Sequence, residues 1–275
     1  MRILTIVCCV LFLQSCAITR LPNDIGYGVL NSDDLVTVKE GLPTYLLLVD
    51  GALITYPESE SLLLTASSLN SAYGGVFVED EARKLKMTQK SFDLAQRAMC
   101  LHRKSACKLM DMSFGAFEQE IAKIKKEKDL PYLYAVASSW TSLIQLTSSD
   151  YNSIAQLGRV ELMMKKVVSL DEQYENGMPL VYLGALNSLL PPSLGGKPEI
   201  AKDYFERAIK VNPSNLIAKV MYAEGYGRLM FEQELHDRLL NEVLEADSNF
   251  HGLTLQNEYA KKEAKRLLDG SYDYF

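Results

Sequence analysis

Residues 201–213 read Ala201-Lys202-Asp203-Tyr204-Phe205-Glu206-Arg207-Ala208-Ile209-Lys210-Val211-Asn212-Pro213, and their spacing decides the fold. Ala201, Phe205, Ala208 and Ile209 recur at helical intervals and so share one face. The small Ala201 and Ala208 let a partner helix approach closely, and Phe205 fills the gap between them. Upstream, Pro198 with Glu199 predicts a helix start, because proline loses no needed donor in a first turn and the carboxylate favours the positive end of the dipole. Downstream, Asn212 followed by Pro213 predicts the N-cap and first turn of the next helix.

The order Ala-x3-Phe-x2-Ala-x4-Pro is the second-helix signature of a tetratricopeptide repeat (TPR). Leu240 and Val243 occupy the places of Phe205 and Ala208 35 residues later, Met164 and Val167 occupy them one unit upstream, and Trp140-x2-Leu143 resembles the start of a repeat's first helix. Ala52-x4-Pro57 is a weaker echo near the N-terminus. The units are irregular, because Pro191 to Pro198 lengthens one of them.

Beyond the N-terminal region the periodicity is helical almost throughout. Alternating β-branched runs bounded by turns do not recur, and Val76-Phe77-Val78 is too short to found a sheet. The spacing predicts helices near 34–56, 58–71, 79–107, 114–128, 131–147, 155–170, 179–189, 198–211, 213–230, 232–245 and 255–268. Short connections predict antiparallel hairpins. The expected fold is all-α, an irregular TPR-like superhelix of helical hairpins.

The first residues bear on the compartment. Arg2 precedes an apolar run from Ile3 to Leu13, then Leu13-Gln14-Ser15-Cys16. Such a run makes about 16 Å of helix against a bilayer core of roughly 30 Å, so it reads as a removable signal segment rather than a membrane span. A small residue before Cys16 suits lipoprotein processing, although Gln14 departs from the usual lipobox. The expected organisation is a signal peptide at 1–15, a tether over 16–34 from a lipidated Cys16, and a TPR-like domain over 35–275. Acylation of Cys16 supplies a membrane anchor; ordinary secretion with cleavage nearby is the other reading.

A formal net charge of −6 argues against nucleic acid as a partner. Beyond Cys16 the cysteines are Cys100 and Cys107. On one straight helix they stand about 10 Å apart, beyond disulfide reach, so a bridge requires a break in the helix; buried inert thiols are the other reading.

No catalytic or metal-binding constellation stands out, and none that would bind a cofactor. His102, His236 and His251 lack metal-ligand spacing. Gly195-Gly196-Lys197 has Leu190-Pro191 and Pro198 where a phosphate loop needs Gly and Ser or Thr, so it reads as a tight inter-helix loop. Ser105-x2-Lys108 has none of the companion motifs of penicillin-recognising enzymes. Lys123-Ile124-Lys125-Lys126-Glu127-Lys128 reads as a solvated helix end, with contact to a lipid headgroup as the alternative. Fifteen tyrosines against one tryptophan are more suggestive. Tyr132, Tyr134, Tyr182, Tyr204, Tyr222 and Tyr226 fall on successive helices, and phenol rings can line an apolar passage while bonding a polar group. Of these, Tyr132, Tyr182, Tyr222 and Tyr226 are the candidate ligand or partner surface; the competing reading is that each is a core filler.

The stretch Leu183-Gly184-Ala185 to Leu190-Pro191, then Leu194-Gly195-Gly196-Lys197-Pro198 with Ala201, Phe205 and Ala208, resembles the T-component family of tripartite ATP-independent periplasmic (TRAP) transporters. The likeness continues through Ala218-Lys219-Val220-x-Tyr222-Ala223, Leu239-Leu240-x2-Val243-Leu244 and Leu255-x-Asn257-x2-Ala260-x3-Ala264-x2-Leu267-Leu268. The resemblance implies a periplasmic lipoprotein, not an enzyme. It implies a homotrimer that binds the transporter's periplasmic solute-binding protein, with a passage in each subunit for a hydrophobic small molecule. A general TPR scaffold for cell-envelope assembly, without small-molecule transfer, is the alternative.

Overall fold

A computed structural model describes residues 25–275. Cys16, the signal segment and the first part of the tether lie outside the described residues. The fold is all-α, with no strand among the described residues. The principal helices are α1 (Leu35–Thr55), α2 (Glu60–Phe77), α3 (Glu81–His102), α4 (Phe114–Ala122), α5 (Leu130–Leu146), α6 (Leu157–Leu170) and α7 (Met178–Asn187). They continue with α8 (Pro198–Val211), α9 (Ile217–Tyr222, extended by a π turn over Ala223–Gly227), α10 (Gln233–Glu245) and α11 (Thr254–Asp269). Residues 25–30, within the stretch expected as a tether, are also helical.

Side-chain caps start four of these helices. Asp34 accepts from Val36 N and Thr37 N, Ser59 from Leu62 N, Asp80 from Arg83 N and Ser113 from Ala116 N, satisfying donors that the first turn leaves free. α8 begins at Pro198 as its spacing predicts.

Each helix packs on the next one or two along the chain: α2 on α3, α3 on α5, α5 on α6, α6 on α7, α7 on α8, and onward to α10 on α11. Two large cores result. The first joins α3 to α7 around Phe92, Phe117, Trp140, Met163, Met164 and Val167, with Leu143 half-buried against it. The second joins α7 to α11 around Ala201, Phe205, Ala208, Leu240, Val243 and Ala264. Burying one such large side chain contributes about 1.5 to 3 kcal/mol. The array also returns to its beginning. α11 touches α1, Leu255 packs with Val38, Leu42 and Tyr73, and Gly252 N donates to Asn31 Oδ1 at 2.8 Å.

Three elements depart from the periodicity. The helix expected over 79–107 stops at His102, because Arg103 adopts an extended conformation and a 3-10 turn follows at Lys104–Ala106. That break brings the Cys100 and Cys107 Cα atoms to 4.3 Å in a disulfide, which replaces the reading of inert thiols. The helix expected over 114–128 stops at Ala122, so the basic run is a connecting loop rather than a helix end; the fully buried Ile124 pins it to the core. Pro213 does not open a helix. Asn212 Oδ1 accepts from Ser214 N at 3.0 Å, closing a turn, and α9 begins only at Ile217.

Candidate functional site

The four nominated tyrosines divide into three environments. Tyr222 and Tyr226 are 3% and 4% exposed and therefore offer no surface. Tyr222 stacks on Phe205 at 5.5 Å and donates to Glu206 Oε1 at 3.1 Å, while Tyr226 donates to Glu199 Oε1 at 3.3 Å. Both fill the second core, and the π turn sets their register. Its Gly225 lies against Phe205 and Ser188, where a Cβ would stand 2.8 Å from Ser188 Oγ.

Tyr132 has a bracing role. Its hydroxyl donates to Glu60 Oε2 at 2.5 Å, and its ring stacks on His102 at 3.8 Å, which ties α5 to α2 and α3. The Tyr132 hydroxyl holds the Glu60 carboxyl below its ordinary pKa despite some burial, with His102 adding to the effect. Burial, and then Glu60, push the Tyr132 phenol up to about 12.

Tyr182 belongs to a cluster that is half-open. Tyr134 on α5 meets Tyr174 edge-on at 5.3 Å and Tyr182 on α7 at 6.1 Å. All three rings keep part of their surface accessible. Yet the protein around them pushes the Tyr174 phenol to about 12 and the Tyr134 phenol well above its ordinary value. The same burial raises Tyr182 and the Glu175 carboxyl beside it. Three partly exposed phenol rings gathered in this way offer apolar faces beside polar hydroxyls, which suits contact with a ligand that has an apolar body and one polar end.

The turn that follows Tyr174 is held in an uncommon conformation. Glu175, Asn176 and Gly177 have φ of 48°, 58° and 79°, and left-handed backbone costs about 1 kcal/mol or more at each non-glycine residue. Asn212 Nδ2 donates to Asn176 Oδ1 at 3.1 Å, and Asn215 Nδ2 to Asn176 O at 3.0 Å. The turn beyond α8 thereby braces the segment that carries Tyr174 and Glu175.

A second feature was not nominated from the sequence. One face of α1 is bare: Leu47 is 72% exposed, Leu48 64% and Ile54 85%, with Thr44, Gly51 and Tyr56 alongside. From Gly41 to Pro57 the only charged residue is Asp50, which pairs with Lys90 at 2.5 Å. The signal was present, since beyond Glu40 the helix α1 is apolar on nearly all sides, and a helix with that composition is either enclosed or carries a partner.

The remaining nominated residues are architectural. Ala201, Phe205, Ala208, Leu240 and Val243 are fully buried or nearly so, and Trp140 lies between Phe92 and Phe117. Gly195 has φ of 91°, and a Cβ on Gly196 would stand 1.7 Å from Leu190 O; the loop between α7 and α8 has this path only with glycine at both positions.

An all-α array that closes on itself, with a partly exposed aromatic cluster and one bare apolar helix face, has the features of a binding component. The TRAP transporter T-component family model matches residues 31–275, and the chain belongs to that family. It is accordingly an accessory component of a TRAP transporter, a periplasmic subunit rather than a member of an enzyme family. No curated protein matches the chain. No described helix is long and apolar enough to cross a membrane.

Proposed function

We propose that this T-component, a TPR-like lipoprotein tethered through acylated Cys16, holds the transporter's periplasmic solute-binding protein against the bare face of α1. A hydrophobic ligand with one polar end is handed on at the cluster of Tyr134, Tyr174 and Tyr182. The observation that carries the reading is the exposure of Leu47, Leu48 and Ile54 on a helix whose opposite face is buried. A monomeric protein rarely leaves so contiguous an apolar face uncovered. Homotrimer assembly, implied by the family resemblance, is the competing use of the same face. The Cys100–Cys107 bridge suits an oxidising compartment.

Co-purification of the solute-binding protein with the full-length chain tests this. Leu47→Glu with Leu48→Glu is expected to abolish capture while leaving the helical circular dichroism and the trimer unchanged. Retained capture sinks the assignment of this face to the solute-binding protein, and loss of the trimer alone assigns it to self-assembly.

A further inference from the structure

The loop between α4 and α5 surrounds a cavity of about 310 Å³. Five cations line it, Arg103, Lys123, Lys125, Lys126 and Lys128, with His102 and the single carboxylate of Asp129 at its base. Such a concentration of positive charge stands out on a chain whose net charge is −6. Because Ile124 is buried, the lysines on either side of it are held around the opening.

The base of this cavity is rigid. His102 Nε2 lies 2.8 Å from Asp129 Oδ1 and its Nδ1 3.2 Å from Glu60 Oε2, with the Tyr132 ring stacked on it. Arg103 Nε donates to Glu120 Oε1 at 2.9 Å, and Lys123 Nζ to Glu120 Oε2 at 2.9 Å. The Cys100–Cys107 disulfide spans the His102–Arg103 step. The neighbouring carboxylates Glu60, Glu120 and Asp129 are thus already engaged. Among the described residues, the two Nη groups of Arg103 and the amines of Lys125, Lys126 and Lys128 have no protein partner.

We propose that this cavity binds a phosphate group, carried by an anionic phospholipid headgroup or by a soluble phosphate compound. A guanidinium fixed through Nε presents its remaining N–H groups as a fork that matches two phosphate oxygens. Three further ammonium groups suit an anion with several oxygens better than a single carboxylate. Preformed geometry lowers the ordering cost of binding, and both the disulfide and the two buried carboxylates supply it.

Titration calorimetry of the full-length chain in non-ionic detergent tests the site, with pyrophosphate, glycerophosphoglycerol and zwitterionic glycerophosphocholine as probes. At least one of the two anions is expected to bind. Its affinity should fall about tenfold or more in Lys125→Gln/Lys126→Gln/Lys128→Gln and on raising the salt from about 0.05 M to about 0.3 M. These lysines are exposed, so the variant should keep its helical spectrum. Glycerophosphoglycerol bound in preference to glycerophosphocholine identifies a lipid headgroup as the source, and pyrophosphate alone a soluble phosphate. Absence of binding by both anions, or equal binding by the triple variant, overturns the proposal.

Discussion

Gly184 of α7 lies flat against the Phe205 ring of α8: a Cβ on Gly184 would stand 2.6 Å from Phe205 Cε1. Phe205 is fully buried, so the ring has nowhere to retreat. The contact joins the helix before the Pro191 to Pro198 loop to the helix after it.

Gly184→Ala is therefore expected to destabilise by about 1 to 3 kcal/mol through overpacking, and Phe205→Ala by about 3 to 5 kcal/mol through the cavity it leaves. The double variant should lose less than the sum, since removing the ring frees the space that the new methyl needs. Urea unfolding of the four proteins measures the coupling; strict additivity would show that the two sites do not meet.

The Cys100–Cys107 bridge closes a short loop across the break after α3. Cys100→Ser with Cys107→Ser is expected to cost about 2 to 3 kcal/mol, mainly by freeing the unfolded chain. Adding dithiothreitol should lower the melting temperature of the parent protein and leave the variant unaffected. A parent protein indifferent to reductant shows that the bridge adds nothing to stability.

Glu120 makes stability depend on acid. Burial alone would raise its carboxyl, but hydrogen bonds from Ser105, Lys123 and Arg103 outweigh that and hold it at about 2. A carboxyl with a depressed folded-state pKa stabilises fully above its unfolded value near 4.5, and the contribution disappears as pH falls through the folded value of about 2. Glu120→Gln should cost about 3 kcal/mol near neutrality, with the difference from the parent shrinking between those two pKa values. Denaturant melts across that range check it; a constant difference means the carboxylate is not the source.

Much of the helical order is legible in the sequence, for identifiable reasons. Pro198 and the Ala201, Phe205, Ala208 stripe mark α8 because a first-turn proline and a 3.6-residue period are both local signals. The break at Arg103 escapes a periodic reading, since Ala106 and Leu109 keep apolar positions past it, while the bonds from Arg103 and Ser105 to Glu120 and the Cys100–Cys107 bridge that hold the bend are not periodic signals. Asn212-Pro213 fits a cap and a turn equally well, and the bonds from Asn212 and Asn215 back to Asn176 ahead of α7 select the turn. Tyrosine count points to an aromatic cluster without distinguishing Tyr182, which joins the partly exposed one, from Tyr222 and Tyr226, which the second core encloses. The cationic cavity is the least legible feature. Lys123 to Lys128 are contiguous, but His102 and Arg103 reach them only through the fold.

The bond from Gly252 to Asn31 joins residues 221 apart in sequence, beside an edge-on pair of Tyr27 and His251. An open solenoid tolerates gain or loss of a unit, because every repeat depends only on its neighbours. Here the circumference is set. Inserting one more hairpin would force these two segments apart, so the geometry constrains the number of helices between them. The junction also makes the terminal segments mutually dependent, and it can form only after the intervening chain has taken its course, which places this contact late in folding.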